Sequence, residues 1–318
     1  MAELGSRVLG RSGLRVSKLS FGASALGGVF GPVDETTAVR AVHAALDCGI
    51  NLFDVAPAYG SEQAEIVLGK ALRDTPRNRY SLSTKVGKYT QAGGYGVDTL
   101  DYSRERIRRS FHESAARLGV DYFDVLHIHD IEYQDRKHTT WALTEGLEAV
   151  TELKREGRIG AVGFGFYPAD LWEQVLQSVD FDVALIHNHY CINDTRLENL
   201  IPLAQAADDV GIINGSPFAS GLLTDAGAPS WHPASQSDRA LFCKAAEFCR
   251  RTTGQPITRL AIQFATQHPL IPTTLFSSAD PASVVENVRW SDEPCDAALL
   301  KEVRQILAPV FNREWNYV

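Results

Sequence analysis

No C-x-x-C pair occurs in this sequence: the five cysteines, Cys48, Cys191, Cys243, Cys249 and Cys295, are odd in number and scattered. That spacing argues against a disulfide framework and predicts reduced, mostly buried thiols. No apolar run approaches the roughly 18 residues that a membrane span needs. The first ten residues lack the apolar core and small-residue cleavage site of a secretory signal. Basic charge is not in excess either, since the formal net charge is −8 with no run of like sign, which argues against a nucleic-acid surface. These absences predict a cytoplasmic protein with neither nucleic acid nor membrane as partner. Neither a Gly-x-Gly-x-x-Gly after the first apolar strand nor a phosphate-loop lysine motif is present, which counts against an open doubly wound sheet.

What is present is a chain of 318 residues, 44% hydrophobic and 22% charged, enough to bury a large core with no linker or low-complexity stretch. Its organising stretch is Asn51-Leu-Phe-Asp54-Val-Ala-Pro-Ala-Tyr59-Gly60. Ile50 to Phe53 reads as a buried strand, Pro57 and Gly60 interrupt it, and a helix restarts with Ala64, Val67, Leu68, Ala71 and Leu72 on one face. Asp54 and Tyr59 therefore fall on a strand-to-helix loop. An aspartate there is also a common turn former or cap, and a loop tyrosine a common packed aromatic. Two further strands nevertheless end on polar groups, the one from Tyr80 at Lys85 and the one from Phe123 at His129.

The same unit recurs along the chain. Strands are expected at 18–21, 51–54, 80–85, 123–129, 159–163, 182–187, 211–215 and 270–275. Helices are expected from about 34 to Gly49 and at 62–72, 104–118, 141–156, 169–177, 197–208 and within 237–268. A hairpin around Ser12-Gly13 precedes them and is expected to plug one end. Eight strands alternating with helices predict a closed α/β barrel of the (β/α)8 type, one domain over 1–318. The active site of such a barrel lies at the carboxyl ends of the strands, where Asp54, Lys85 and His129 fall.

A phenol is a poor acid or base near neutral pH, but a neighbouring ammonium favours its ionised form and a carboxylate can hold that ammonium in place. Asp54 and Lys85 can do this for Tyr59. His129 then adds a hydrogen bond, so that one carbonyl or hydroxyl oxygen is polarised by two groups. Such an apparatus suits hydride transfer.

These residues, together with Leu9-Gly-Arg-Ser-Gly-Leu-Arg-Val16, Phe21-Gly22, Ser83-Thr-Lys85, Asp121-Tyr-Phe-Asp124, Ser216-Pro217, Gly221-Leu-Leu-Thr224 and Glu286-Asn287, resemble the aldo-keto reductases over nearly the whole chain. The resemblance implies Asp54, Tyr59, Lys85 and His129 as the catalytic tetrad. Of the pair His127-x-His129, the family's spacing of five residues from Asp124 selects His129. The resemblance also implies a nicotinamide dinucleotide held by Gly22, Ala23, Ser24, Asp54, His187, Ser216, Phe218, Ser220, Gly221 and Leu222, with Ser277, Ser278, Ser283, Glu286 and Asn287 on the adenosine side.

The chain departs from the family in two places. Gly165-Phe166 stands where many members carry Ser-Asn for the nicotinamide amide, and His187 where glutamine is common. Ala279 and Ser283 replace the basic residues that hold the 2′-phosphate of NADP, so NAD is the expected cofactor. Loop pieces such as Gly28-Val-Phe-Gly-Pro32 and His189-Tyr-Cys-Ile-Asn-Asp194 are similar to those of members that oxidise C1 of an L-galactose-like aldose, L-fucose and D-arabinose being related candidates. Phe30, Tyr59, His129, Asp130, Trp231 and His232 are then expected to bind the sugar.

An aldehyde reductase using NADPH and a pyridoxal dehydrogenase are the alternatives within the family. A metal-dependent hydrolase built on His127-x-His129 and His187-x-His189 is the rival class, though it leaves Tyr59 and Lys85 without roles; no metal is expected. A nucleotide-sensing subunit without catalysis is a further alternative. A monomer or weak homo-oligomer is the default state.

Overall fold

A computed structural model of the chain describes residues 4–90 and 98–315. Eight strands close into a parallel barrel: β3 (Leu19–Gly22), β4 (Leu52–Asp54), β5 (Ser81–Val86), β8 (Phe123–His129), β9 (Ile159–Phe166), β10 (Val183–His187), β11 (Gly211–Gly215) and β12 (Thr273–Ser277). Each pairs with its successor, and β12 returns to β3 with Ser277 opposite Gly22. This sequential ring is the expected (β/α)8 topology, and its register aligns the functional ends: Gly22 opposes Asp54, Asp54 opposes Ser83, and Lys85 opposes His127.

Two antiparallel hairpins lie outside the ring, β1 (Ser6–Val8) with β2 (Arg15–Ser17), and β6 (Lys88–Thr90) with β7 (Asp98–Leu100). The first is the expected hairpin. Leu9 and Val16 beside it are fully buried and pack against Leu52, Val125, Ala161, Val183 and Ile213, the side chains that fill the barrel interior. Asn51 locks it in place by accepting from the Ser17 N–H at 2.8 Å and donating to the Arg15 carbonyl at 2.9 Å.

The helices are α1 (Glu35–Asp47), α2 (Gln63–Leu72), α3 (Arg104–Leu118), α4 (Thr139–Trp141), α5 (Leu147–Arg155), α6 (Ala169–Ser178), α7 (Leu197–Ala206), α8 (Gln236–Thr253), α9 (Ile257–Thr266), α10 (Pro281–Ser291) and α11 (Ala297–Leu307). Their ends follow local chemistry. The carboxylate of Asp34 accepts the Thr37 N–H at 2.8 Å at the start of α1, and Gly119 closes α3 at φ 70°, the side-chain cap and left-handed glycine that helix ends favour. The main core lies between the barrel's outer face and this helical layer. A second cluster gathers α8, α9 and α11 with Trp315.

Several boundaries differ from the sequence expectation. β9 runs three residues past 163, because β8 and β10 still offer partners: His129 pairs with Gly165 and Ile186 with Phe166. The eighth barrel strand starts at Thr273 instead of 270, since Pro269 and Pro272 lack the N–H that a ladder needs. The expected helix 141–156 contains a wide turn at Ala142–Gly146 between α4 and α5. The segment 237–268 is two helices, separated at Gly254 and Pro256. All five cysteines are free, but only Cys191 and Cys249 are buried. Among the described residues no helix is long and apolar enough to cross a membrane.

Candidate active site

The carboxyl ends of the strands surround one cavity of about 1000 Å³. On its floor, Asp54 ends β4 and Lys85 lies near the end of β5, both within 2% of full burial. The Lys85 ammonium donates to the Asp54 carboxylate and, at 2.9 Å, to the Val55 carbonyl. The second Asp54 oxygen accepts the Ser83 hydroxyl at 2.5 Å. A buried charge pair is costly unless its hydrogen bonds are completed, and these partners complete them.

Tyr59 reaches this pair from the loop after β4. The loop is held by an approach so close that a Cβ at Gly60 would stand 2.0 Å from the Gly27 carbonyl oxygen, and Gly60 adopts φ 61°. Only glycine fits. The Lys85 Nζ lies 4.8 Å from the Tyr59 ring centroid, and the His129 ring meets Tyr59 edge-on at 5.9 Å. Burial holds His129 well below the usual imidazole range, with Lys85 and Lys88 adding to the effect and Asp130 opposing it. His129 is therefore a neutral hydrogen-bonding group. The four residues named from the sequence meet on one floor.

The histidine pairs divide. His129 and His187 line the cavity, whereas His127 is fully buried among Asp54, Lys85 and Gly163. His189 donates from Nε2 to the Tyr167 carbonyl at 2.6 Å, and its Nδ1 lies 3.7 Å from Asp194. Among the described residues no group of three or more His, Cys, Asp or Glu is arranged to hold a metal ion. Burial lowers both His127 and His187 to about 4.

Around the walls stand Gly22, Ser24, Phe30, Asp130, Ser216, Phe218, Ser220, Gly221, Trp231, Ser277 and Ser278, all singled out above. Ala23, Leu222, Ser283, Glu286, Asn287 and His232 do not line the cavity. Ala23 and Leu222 are core residues, and Asn287 donates to the Ser283 carbonyl at 2.9 Å. His232 is buried, accepting the Ala234 N–H at 3.1 Å and facing Trp315. Phe166 points away from the cavity and stacks on Trp172 at 3.7 Å, while Gly165 lines it.

The loop after β11 fits an anion. Ser216, Ala219, Ser220 and Gly221 all take positive φ, 60°, 48°, 51° and 100°, and left-handed residues set among right-handed ones curve the backbone into the concave nests that bind phosphates. Ser220 is held by Asn188, whose amide donates to its hydroxyl at 3.0 Å. Ser277, Ser278 and Thr37 in the first turn of α1 border the same cavity. Opposite walls meet above, where the Trp231 indole donates to the Val29 carbonyl at 3.0 Å.

Sequence reasoning missed Glu132, Tyr133, Tyr167 and Asn188, which also line the cavity. Tyr167 carried a usable signal, since it follows the Gly165-Phe166 departure directly, but β9 was read as ending too early. Lys88 was missed as well. It donates to Asp130 at 2.7 Å from the hairpin β6–β7, an element without a strong apolar pattern.

Comparison with known proteins gives one consistent picture. A family model described as the Aldo/keto reductase family matches residues 18–308. An L-galactose dehydrogenase of Arabidopsis thaliana is 39% identical over 324 residues, covering 99% of this chain and 98% of its own. A pyridoxal 4-dehydrogenase of Microbacterium luteolum is 31% identical, covering 90% and 93%. Among solved structures, the holo form of aldo-keto reductase AKR11C1 from Bacillus halodurans superposes with a TM-score of 0.75 at 28% identity, covering 98% of this chain and 100% of that one.

Proposed function

The chain belongs to the aldo/keto reductase family, and from that premise we propose that it oxidises the C1 hydroxyl of an L-galactose-like aldose to the lactone, with NAD as cofactor. At the coarser level it is an NAD(P)-dependent oxidoreductase acting on small carbonyl or sugar substrates. The observation that carries the finer reading is the meeting of Asp54, Lys85, Tyr59 and His129 on the floor of a cavity whose walls are rich in hydrogen-bonding side chains. Its likeness to a plant L-galactose dehydrogenase over nearly all of both chains supports the sugar.

When bound, the dinucleotide supplies the hydride acceptor, and the protein supplies position and electrostatics. Ser216, Ser220 and Gly221 would hold the pyrophosphate, Ser277 and Ser278 the adenosine side, and His187 with Asn188 the nicotinamide amide in place of the missing Ser-Asn pair. Tyr59, in its deprotonated form, takes the proton of the C1 hydroxyl. The Lys85 ammonium stabilises the charge on the phenol oxygen, and Asp54 keeps that ammonium in place. His129 orients the substrate oxygen by a hydrogen bond from its neutral imidazole.

The test is NADH formation over a panel of L- and D-aldoses, pyridoxal and simple alcohols, with NADP in parallel. The expected result is turnover confined to L-galactose-like sugars with NAD. Tyr59→Phe should lower kcat by about 10²–10⁴-fold, the range of general acid–base catalysis, with dinucleotide affinity retained. Turnover surviving in that variant would remove Tyr59 from the proton-transfer role. A preference for pyridoxal would favour the second reading, which the 31% likeness to a pyridoxal 4-dehydrogenase supports.

A further inference from the structure

Asp130 follows His129 directly and is expected from the sequence to bind the sugar, yet the proton and hydride transfers above give it no part. Its backbone is fixed from three sides. The Asp130 N–H donates to the Gly165 carbonyl at 2.8 Å, its own carbonyl accepts the Tyr102 hydroxyl at 3.1 Å, and it adopts φ 48°, a conformation that turns the chain sharply off the strand. The side chain is equally constrained. One carboxylate oxygen accepts the Lys88 ammonium at 2.7 Å, and the other lies 3.5 Å from Nε2 of His129. Lys88 is itself only 3% exposed and is not part of the cavity wall, so the lysine stands behind the carboxylate and the carboxylate faces the cavity.

The consequence is a fixed negative charge beside the group that orients the reacting oxygen. Among the described residues the basic side chain on the cavity wall is Lys85, already engaged by Asp54, whereas Asp34, Asp130 and Asp280 line it in addition to Asp54. Burial pushes the Asp130 carboxyl up, but the charged and polar groups around it, Lys88 among them, outweigh burial and hold it below the usual carboxylate range. Two unit charges about 5 Å apart at an effective dielectric of about 20 repel strongly enough to change affinity by roughly 10²-fold; the Lys88 ammonium behind reduces this toward 10-fold.

We propose that Asp130 makes the enzyme selective for uncharged substrates: its Lys88-held carboxylate accepts a hydrogen bond from a hydroxyl of a neutral sugar and turns away substrates bearing a carboxylate or phosphate. This rests on the aldose reading and adds the substrate class, neutral aldoses as against uronic acids and aldose phosphates. Selection of this kind works by a repulsive element as much as by an attractive one.

The experiment compares kcat/KM for a neutral aldose, the corresponding uronic acid and the corresponding aldose phosphate, oxidised with NAD. The wild type is expected to favour the neutral sugar by about 10- to 100-fold, and Asp130→Asn to narrow that ratio by about 10-fold, chiefly through the KM of the charged substrates. Equal turnover of neutral and charged sugars by the wild type would overturn the proposal. So would an Asp130→Asn variant in which all three fall together with the ratio unchanged. Because that substitution removes the carboxylate charge from beside the buried Lys88 ammonium, Lys88→Met/Asp130→Asn is made alongside. It is expected to lose the discrimination with no unpaired charge, and retention of the full ratio would overturn the idea. Should no aldose be oxidised at all, the aldose reading fails on its own. Reduction of glyceraldehyde against glyceraldehyde 3-phosphate by NADH or NADPH then tests the charge selection independently, with the same expected and overturning ratios.

Discussion

Lys85 shows how closely stability and activity are tied at a single residue. Its ammonium has Asp54 and the Val55 carbonyl as partners and only 1% exposure, so replacing it with methionine leaves a buried carboxylate without its countercharge. Breaking one side of such a pair typically costs about 3–5 kcal/mol, whereas removing both sides costs much less. Lys85→Met is therefore expected to lose both turnover and stability, and Lys85→Met/Asp54→Asn to recover much of the stability without turnover. Denaturant unfolding of the two variants measures this, and equal stability of single and double variant would mean that the pair is not what Asp54 depends on. At this scale the sequence was informative where a polar residue ended an apolar strand, as at Asp54, Lys85 and His129. It was silent on Glu132 and Tyr133, loop residues with no periodic neighbours to place them, and the side to which His232 turns depends on Trp315, far along the chain.

Among the elements, α10 bears on cofactor choice. Its N-terminus is capped by Asp280, whose carboxylate accepts the Ala282 N–H at 3.3 Å, the Ser283 N–H at 3.0 Å and the Ser283 hydroxyl at 2.9 Å. These bonds outweigh the effect of burial and hold the carboxyl below its usual range. The donors that a helix start offers to a phosphate are thus already taken by an anion on the cavity wall. NAD is expected to be favoured over NADP. Asp280→Ser, which keeps a capping hydroxyl, combined with Ala279→Arg should move the ratio of kcat/KM values toward NADP by at least about 10-fold. An unchanged ratio would place the discrimination elsewhere. The elements themselves were largely legible, because apolar strands and 3.6-residue periodicity repeat in strict alternation. The hairpin β6–β7 was not, having three-residue strands with lysine and threonine at the ends. Helices α10 and α11 were not anticipated either, although a (β/α)8 pattern calls for one helix after the eighth strand, the place α10 takes.

Across the whole molecule, the buried titratable groups set a pH for maximal stability. His127 and His187 are lowered by burial to about 4 from 6.5, and burial holds His129 well below its usual range too. The folded state therefore binds fewer protons than the unfolded one between pH 4 and 6.5, and this contribution is present above 6.5 and lost as the pH falls toward 4. Glu132 has the opposite sign: burial and the Asp130 charge push it up to about 8 from 4.5, so its contribution is lost as pH rises through that interval. His232 is lowered by burial to about 4 as well, so four histidines outweigh one glutamate below 6.5, and Glu132 acts without them from there to about 8. The thermal midpoint at constant ionic strength is expected to rise from pH 4.5, peak near 6.5 and decline toward 8, with Glu132→Gln flattening the upper limb. A flat profile below 6.5 would mean that the histidines titrate as they do in water. The barrel as a whole was readable from strand number and order; this pH behaviour was not, because it depends on which side chains the closed ring seals from water.

The hairpin at the amino-terminal end has a consequence in time as well as in space. With Leu9 and Val16 seated among the interior side chains, the barrel is a vessel with its opening at the other end, not a passage. A dinucleotide and a small substrate that both used that doorway would keep a fixed itinerary: whichever lay deeper would enter first and leave last. The outer guest could not be overtaken, and each cycle would be a queue whose pace is set by its slowest departure.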